Sequence, residues 1–212
     1  MGLHLYCLRH GETTFSQTGG YCGILDPELT PEGQQMAVEF AEAYQHLPWT
    51  AIFCSPLRRT VATAQPLAAK IGQELHLRDG LKEIHYGVWE GQTPEWVKTH
   101  HLDDYIHWMT EPAWNAPTGG ETAVQVANRA MAVIAEIEAK YSEGHVLVVS
   151  HKATLRIILC SLLGIDLGRY RDRISVLVAS VSRVRFTQYG PLLELMGDRS
   201  HLSPALRDLP GT

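Results

Sequence analysis

The chain has 212 residues, 45% of them hydrophobic and 19% charged, with a formal net charge of -5. That balance suits a soluble globular domain with a full core, and it excludes a global basic field for nucleic acid or an anionic membrane. An anionic ligand would have to be met by cations gathered locally. No apolar run is long enough for a transmembrane helix, and the charged motif beginning at Arg9 is read as leaving no room for a secretory signal. The four cysteines, Cys7, Cys22, Cys54 and Cys160, form no CxxC pair. This spacing argues against structural zinc and against a secreted disulfide framework, so a reducing cytoplasm is expected. Cys7, Cys54 and Cys160 sit in apolar segments and read as small core residues.

In chain order, Leu3 to Leu8 reads as a short buried strand, followed by a Gly-, Ser- and Thr-rich loop from Gly11 to Leu29. Thr30-Pro31 starts a helix, with Thr30 as N-cap, Pro31 at the first helical position and Glu32 in the first turn. Its apolar face is Ala37, Phe40, Ala41, Tyr44 and Leu47. Ala51 to Cys54 is a second buried strand, and Val61, Ala64, Leu67, Ala68 and Ile71 mark a helix behind it, with Pro66 as a kink. The stretch 92–118 differs in texture. It carries Trp96, Trp108 and Trp114 with several His and Pro, and reads as an inserted segment with its own small core. A long amphipathic helix runs from Thr122 to Tyr141. Val146 to Val149 is the cleanest buried strand, and it leads through Ser150-His151 into a helix from Ala153 to Leu163. Two more strands are expected at Ser180 to Phe186 and Leu192 to Leu195, and a loose tail over the last dozen residues. Strands alternating with helices predict a three-layer α/β/α sandwich around a mostly parallel sheet. The whole chain, 1–212, reads as one domain, with the insert lying over the site.

In open α/β sheets ligands bind outside the carboxyl ends of the strands. Three strands here end in polar residues: Leu8 into Arg9-His10-Gly11, Cys54 into Ser55-Pro56-Leu57-Arg58-Arg59, and Val149 into Ser150-His151. One histidine at a strand end is commonly structural. Two histidines and an arginine pair on one sheet edge favour a functional reading over a structural one.

LRHGET, Leu8 to Thr13, resembles the signature of the histidine phosphatase superfamily, the phosphoglycerate mutase-like proteins. SPLRRTVATA (Ser55 to Ala64), EIHYGVWEG (Glu83 to Gly91), PTGGET (Pro117 to Thr122, with Arg129 downstream) and VVSHKATLR resemble its later segments, in the family's order. The resemblance implies that His10 is a nucleophile forming a phosphohistidine. A neutral imidazole nitrogen is a good nucleophile near neutral pH, and two transfers replace one difficult step. A hydrogen bond from the other ring nitrogen to a backbone carbonyl would fix the tautomer, with Gly11 giving the backbone room. Arg9 and Arg59 are expected to hold the phosphoryl oxygens, and Arg58 to face solvent or the substrate edge. His151 is expected as a second, cationic imidazole on the same phosphate.

The resemblance makes Glu83 the general acid and base, protonated beside a dianionic phosphate. Read without the resemblance, Glu83 is a surface partner of Lys82. Glu12 is read as the structural partner of a nearby cation. His100, His101, Asp103 and Asp104 fit no metal motif and read as a solvated helix end.

The chain departs from the family pattern in three places. Phe15-Ser16 stands where the family has Trp-Asn, Cys22 where it commonly has Thr before the matching Gly23, and Lys152 where small residues are usual. Ser16, Cys22, Gly23 and Lys152 are therefore the candidate substrate-binding residues. Lys152 either meets a second anionic group or faces solvent. The expected activity is hydrolysis of small phosphomonoesters with no cofactor and no metal. A phosphoglycerate-type mutase and a silent phospholigand-binding regulatory module are the alternatives. The expected partner is a small phosphorylated metabolite, with no nucleic acid and no membrane, and a homodimer is left open.

Overall fold

The computed structural model describes residues 2–209 and 211. Its strands are β1 (Leu3–Arg9), β2 (Trp49–Cys54), β3 (Leu75–Leu77), β4 (Gly144–Ser150), β5 (Val181–Thr187) and β6 (Gly190–Asp198). They form one sheet in the order β3-β2-β4-β1-β5-β6. The first four strands of that order run parallel; β5 pairs antiparallel to β1 at one edge, and β6 antiparallel to β5 beyond it. The helices are α1 (Thr14–Thr18), α2 (Pro31–Tyr44), α3 (Arg58–Ile71), α4 (Pro94–His100), α5 (Leu102–Thr110), α6 (Ala123–Lys140), α7 (Lys152–Leu163), α8 (Tyr170–Arg173) and α9 (Pro204–Arg207).

The two-residue period of a strand sorts the core into layers. Leu3, Leu5 and Cys7 of β1 join Val146 and Val148 of β4 under α6 and α7. Tyr6 and Leu8 point the other way, with Leu147 and Val149, onto α2 and α3. Burying both faces explains why β4 is a continuous apolar run.

Caps fix where the helices begin. Thr30 Oγ1 accepts from Gly33 N at 3.0 Å, with Pro31 at the first helical position of α2. Thr122 and Gln125 close a capping box on α6. α3 and α7 begin just after β2 and β4, and so bring Arg59 and His151 beside Arg9-His10 at one edge of the sheet.

Four features differ from the sequence reading. β3 and α1 were not anticipated. The described C-terminal stretch is not loose: Leu202, and Leu206 of α9, dock onto Met36, Val178 and Ala179, while Pro210 and Thr212 lie outside the described residues. Val97 and Trp108 of the 92–118 insert form a small core with Trp89, which precedes it, and Trp96 packs against that core. Trp114 is 71% exposed and takes no part.

Candidate active site

Parallel pairing of β1 with β4 aligns Arg9 with Ser150, so His10 and His151 leave adjacent strands side by side. Their ring centroids lie 5.2 Å apart. His10 N donates to Ser150 O at 3.1 Å, and His10 O accepts from Ala179 N at 3.1 Å. Both backbone groups of His10 are therefore pinned by the neighbouring segments.

His10 Nδ1 lies 2.7 Å from Gly11 O. A carbonyl only accepts, so Nδ1 carries the proton and Nε2 keeps its lone pair. Burial, then the charges of Arg59 and Arg9, hold the imidazole well below its ordinary value, and the bond to Gly11 only partly offsets them. His10 is thus neutral at physiological pH. Gly11 itself is fixed from two sides. Its N–H donates to Thr63 Oγ1 at 2.9 Å, and a Cβ there would sit 2.4 Å from Gly33 O.

Arg59, in the first turn of α3, is 1% exposed. Its Nη1 donates to Leu25 O at 2.7 Å, its Nη2 to Gly23 O at 2.9 Å and its Nε to His151 Nδ1 at 3.1 Å. His151 Nε2 lies 2.8 Å from Ser55 Oγ. Because Arg59 Nε must donate, His151 Nδ1 accepts, and Nε2–H donates to Ser55. The expected cationic His151 is corrected here. Burial, with Arg59, His10 and Arg9 around it, keeps the ring neutral. Arg58, by contrast, is exposed and ion-paired to Glu28.

Glu83 is buried beside the N-terminus of α7. Its Oε1 accepts from Ile84 N at 2.9 Å and Thr154 N at 3.0 Å, and its Oε2 accepts from Ala153 N at 3.1 Å. The Thr154 hydroxyl is shared between Glu83 Oε1 at 3.0 Å and Lys82 O at 2.8 Å. The helix end thus supplies unpaired N–H groups to a carboxylate. Lys82 pairs with Asp79 at 2.9 Å, so Glu83 is not its surface partner. Arg129 fixes the Glu83 backbone. It clamps Glu121 through Nε and Nη2, each at 2.9 Å, and donates to Glu83 O at 3.0 Å.

These groups open onto a cavity of about 370 Å3 whose lining includes Arg9, His10, Ser16, Cys22, Arg59, Glu83 and Lys152. Pro94 and Trp108 of the insert form part of its wall. Among the described residues, His151 and Gly23 are not on that lining. Gly23 N donates to Glu90 Oε2 at 3.0 Å, and a Cβ there would lie 2.2 Å from Ile84 O. The structure therefore makes Gly23 a packing point of the loop that Arg59 and Glu90 hold.

Ser16 also has a different task from the expected substrate contact. Its Oγ donates to Thr13 O at 2.8 Å and accepts from Thr13 N at 2.8 Å, completing the capping box of α1. Cys22 Sγ lies 3.5 Å from Leu25 O, and burial pushes its thiol up to about 11. Glu12 is structural, but its close partners are neutral: Thr30 Oγ1 and Gln17 Nε2 both donate to Oε1 at 2.9 Å.

The sequence reading singled out neither Arg156, Arg171, Tyr86 nor Tyr170, all of which line the cavity. Arg156 carried one legible signal, its position one helical turn after Lys152. Arg171 and Tyr170 reach the site only through the packing of α8.

A three-layer α/β sheet with a neutral imidazole and clustered arginines at its strand ends outlines a site suited to a phosphoryl group. The family model for the histidine phosphatase superfamily (branch 1) matches residues 5–199. The chain belongs to that superfamily. It is 33% identical to phosphoserine phosphatase 1 of Hydrogenobacter thermophilus, over 78% of this chain and 79% of that protein. It is 30% identical to glucosyl-3-phosphoglycerate phosphatase of Mycolicibacterium vanbaalenii, over 78% and 76%. Among solved structures, Bacillus stearothermophilus YhfR superposes with a TM-score of 0.88 at 26% identity, covering 95% of this chain and 100% of that one.

Proposed function

We propose that the protein hydrolyses small phosphomonoesters through a phosphohistidine on His10. One observation carries this reading: the Nδ1–H bond to Gly11 O leaves Nε2 of a neutral, buried imidazole bare beside Arg9 and Arg59. Superfamily membership and relatives named as phosphatases support it. Nε2 attacks phosphorus as the ester P–O bond breaks, and Glu83 passes its proton to the departing alkoxide. Water then attacks the phosphorus, Glu83 takes a proton from it, the P–N bond breaks, and phosphate leaves with His10 neutral again. Arg9 lines the cavity and meets the charge spread over the transferring oxygens. Arg59 acts mainly by fixing His151 and the Gly23–Leu25 carbonyls, which keeps the floor rigid.

The chain is read as one domain, its 92–118 insert walling the cavity, acting on free metabolites in the cytoplasm. Among the described residues, no helix is long and apolar enough to cross a membrane, and the four cysteines are unbridged. The test is phosphate release from a panel of phosphomonoesters in EDTA, by the wild type and His10→Ala. Release by the wild type and its loss in the variant are expected. Undiminished release by His10→Ala would remove the nucleophile from the account.

A further inference from the structure

The cavity holds more positive charge than one phosphoryl group requires. Arg9 and Arg59 stand near His10. Lys152 and Arg156, four residues apart on α7 and so on one helical face, line the same cavity with Arg171 of α8. Among the described residues Glu83 is the only acidic one on that lining, and its oxygens already serve the α7 N-terminus. Among the described residues, Lys152 and Arg156 enter no ion pair, and the buried Nε of Arg156 has no hydrogen-bond partner. Other part-buried arginines are matched: Arg78 binds Glu136, and Arg129 binds Glu121.

Arg171 is held in place but, among the described residues, enters no ion pair. Its guanidinium carbon lies 3.7 Å from the Trp108 ring centroid, and its Nη1 approaches Met109 Sδ at 2.8 Å. Tyr86 and Tyr170 stand beside these cations. Burial raises both phenols above their ordinary value, so they remain hydroxyl donors. Lys152 is pulled down to about 7 by burial, with Arg9, Arg156 and Arg171 adding to the effect. Solvated surface cations do not behave this way, because water would screen them. A half-buried group of like charges is costly unless an anion completes it.

We propose that Lys152, Arg156 and Arg171 form a second anion subsite, so that the preferred substrate is a phosphomonoester bearing a further carboxylate or phosphate on its alcohol. This rests on the reading that His10 hydrolyses phosphomonoesters in this cavity. Guanidinium forks match both kinds of anion. A neutral alcohol would leave the cations uncompensated, which is what separates the two substrate classes.

The test uses phosphorylated three-carbon chains ending in methyl, carboxylate or phosphate. kcat/KM is measured for the wild type, Arg156→Gln, Lys152→Gln and Arg171→Gln. The wild type should favour at least one anionic tail over methyl by about 10-fold or more. Arg156→Gln should cut that preference by about 10- to 100-fold, mostly through KM, with Arg156→Lys recovering part of it. Which tail is favoured identifies the anion. Equal kcat/KM on all tails, or an unchanged preference in every variant, would overturn the subsite while leaving the phosphatase reading intact. Turnover of none of the three esters would overturn both.

Discussion

Replacing Glu83 by Gln removes a transferable proton and rearranges a known set of donors. Glu83 Oε1 accepts from Ile84 N and Thr154 N, and Oε2 accepts from Ala153 N. A glutamine can place its carbonyl at the Oε1 position and keep the first pair. Its amide NH2 then faces Ala153 N, donor against donor, and one buried N–H loses its acceptor. Such a loss costs about 1–3 kcal/mol, which for a chain of this size lowers Tm by roughly 2–12 °C. The catalytic effect is separate. Without the acid, kcat/KM on an alkyl phosphate should fall by about 10²–10⁴-fold. A nitrophenyl phosphate, whose leaving group departs as a stable anion, should lose far less. kcat/KM is the right quantity, because it reports the first transfer whatever the fate of the phosphoenzyme. Equal losses on both esters would refute proton donation by Glu83. An unchanged Tm would refute the donor clash.

Two further outcomes follow from the packing and the charges. Gly11→Ala sets a Cβ 2.4 Å from the Gly33 carbonyl, backbone against backbone. The strain should cost about 1–3 kcal/mol, and a shift of His10 by an ångström should cost about 10²-fold in rate; thermal melts and kcat/KM check both, and a melt matching the wild type would contradict it. Lys152 titrates near 7 in the folded chain against 10.5 ordinarily. Between those values the unfolded chain binds more protons, so its burial costs stability fully below about pH 7 and less as pH climbs towards 10.5. Lys152→Gln should therefore melt several degrees above the wild type near pH 6, with the gap closing as pH rises. A gap that is absent or grows with pH would contradict this.

The sheet edge was legible because β-branched and apolar runs stop abruptly at Arg9, Ser55 and Ser150, and a strand's direction carries its end residue to a definite edge. β3 escaped because Leu75–Leu77 is only three residues at the sheet margin, two half-buried and one exposed, too short for a periodic signal. α1 escaped because it lies inside a polar loop, although Thr13 and Ser16 carry capping-box spacing. That cap also engages the Ser16 hydroxyl on the cavity wall, which the sequence did not reveal: spacing shows that a hydroxyl is near, not which oxygen receives its proton. The neutral state of His151 was not legible, since it depends on Arg59 Nε arriving from α3. Lys152 was visible as an oddity, but its meaning required Arg156 and Arg171 beside it.

A covalent bond from phosphorus to His10 Nε2 leaves a species that can be trapped. Mixing the protein with an ester radiolabelled at phosphorus, quenching in alkali within one turnover and mapping the labelled peptide measures it directly. The label should be alkali-stable, acid-labile and confined to the peptide carrying His10, and absent from His10→Ala. Turnover with no trapped label, or label on His151 or a hydroxyl side chain, would contradict the account.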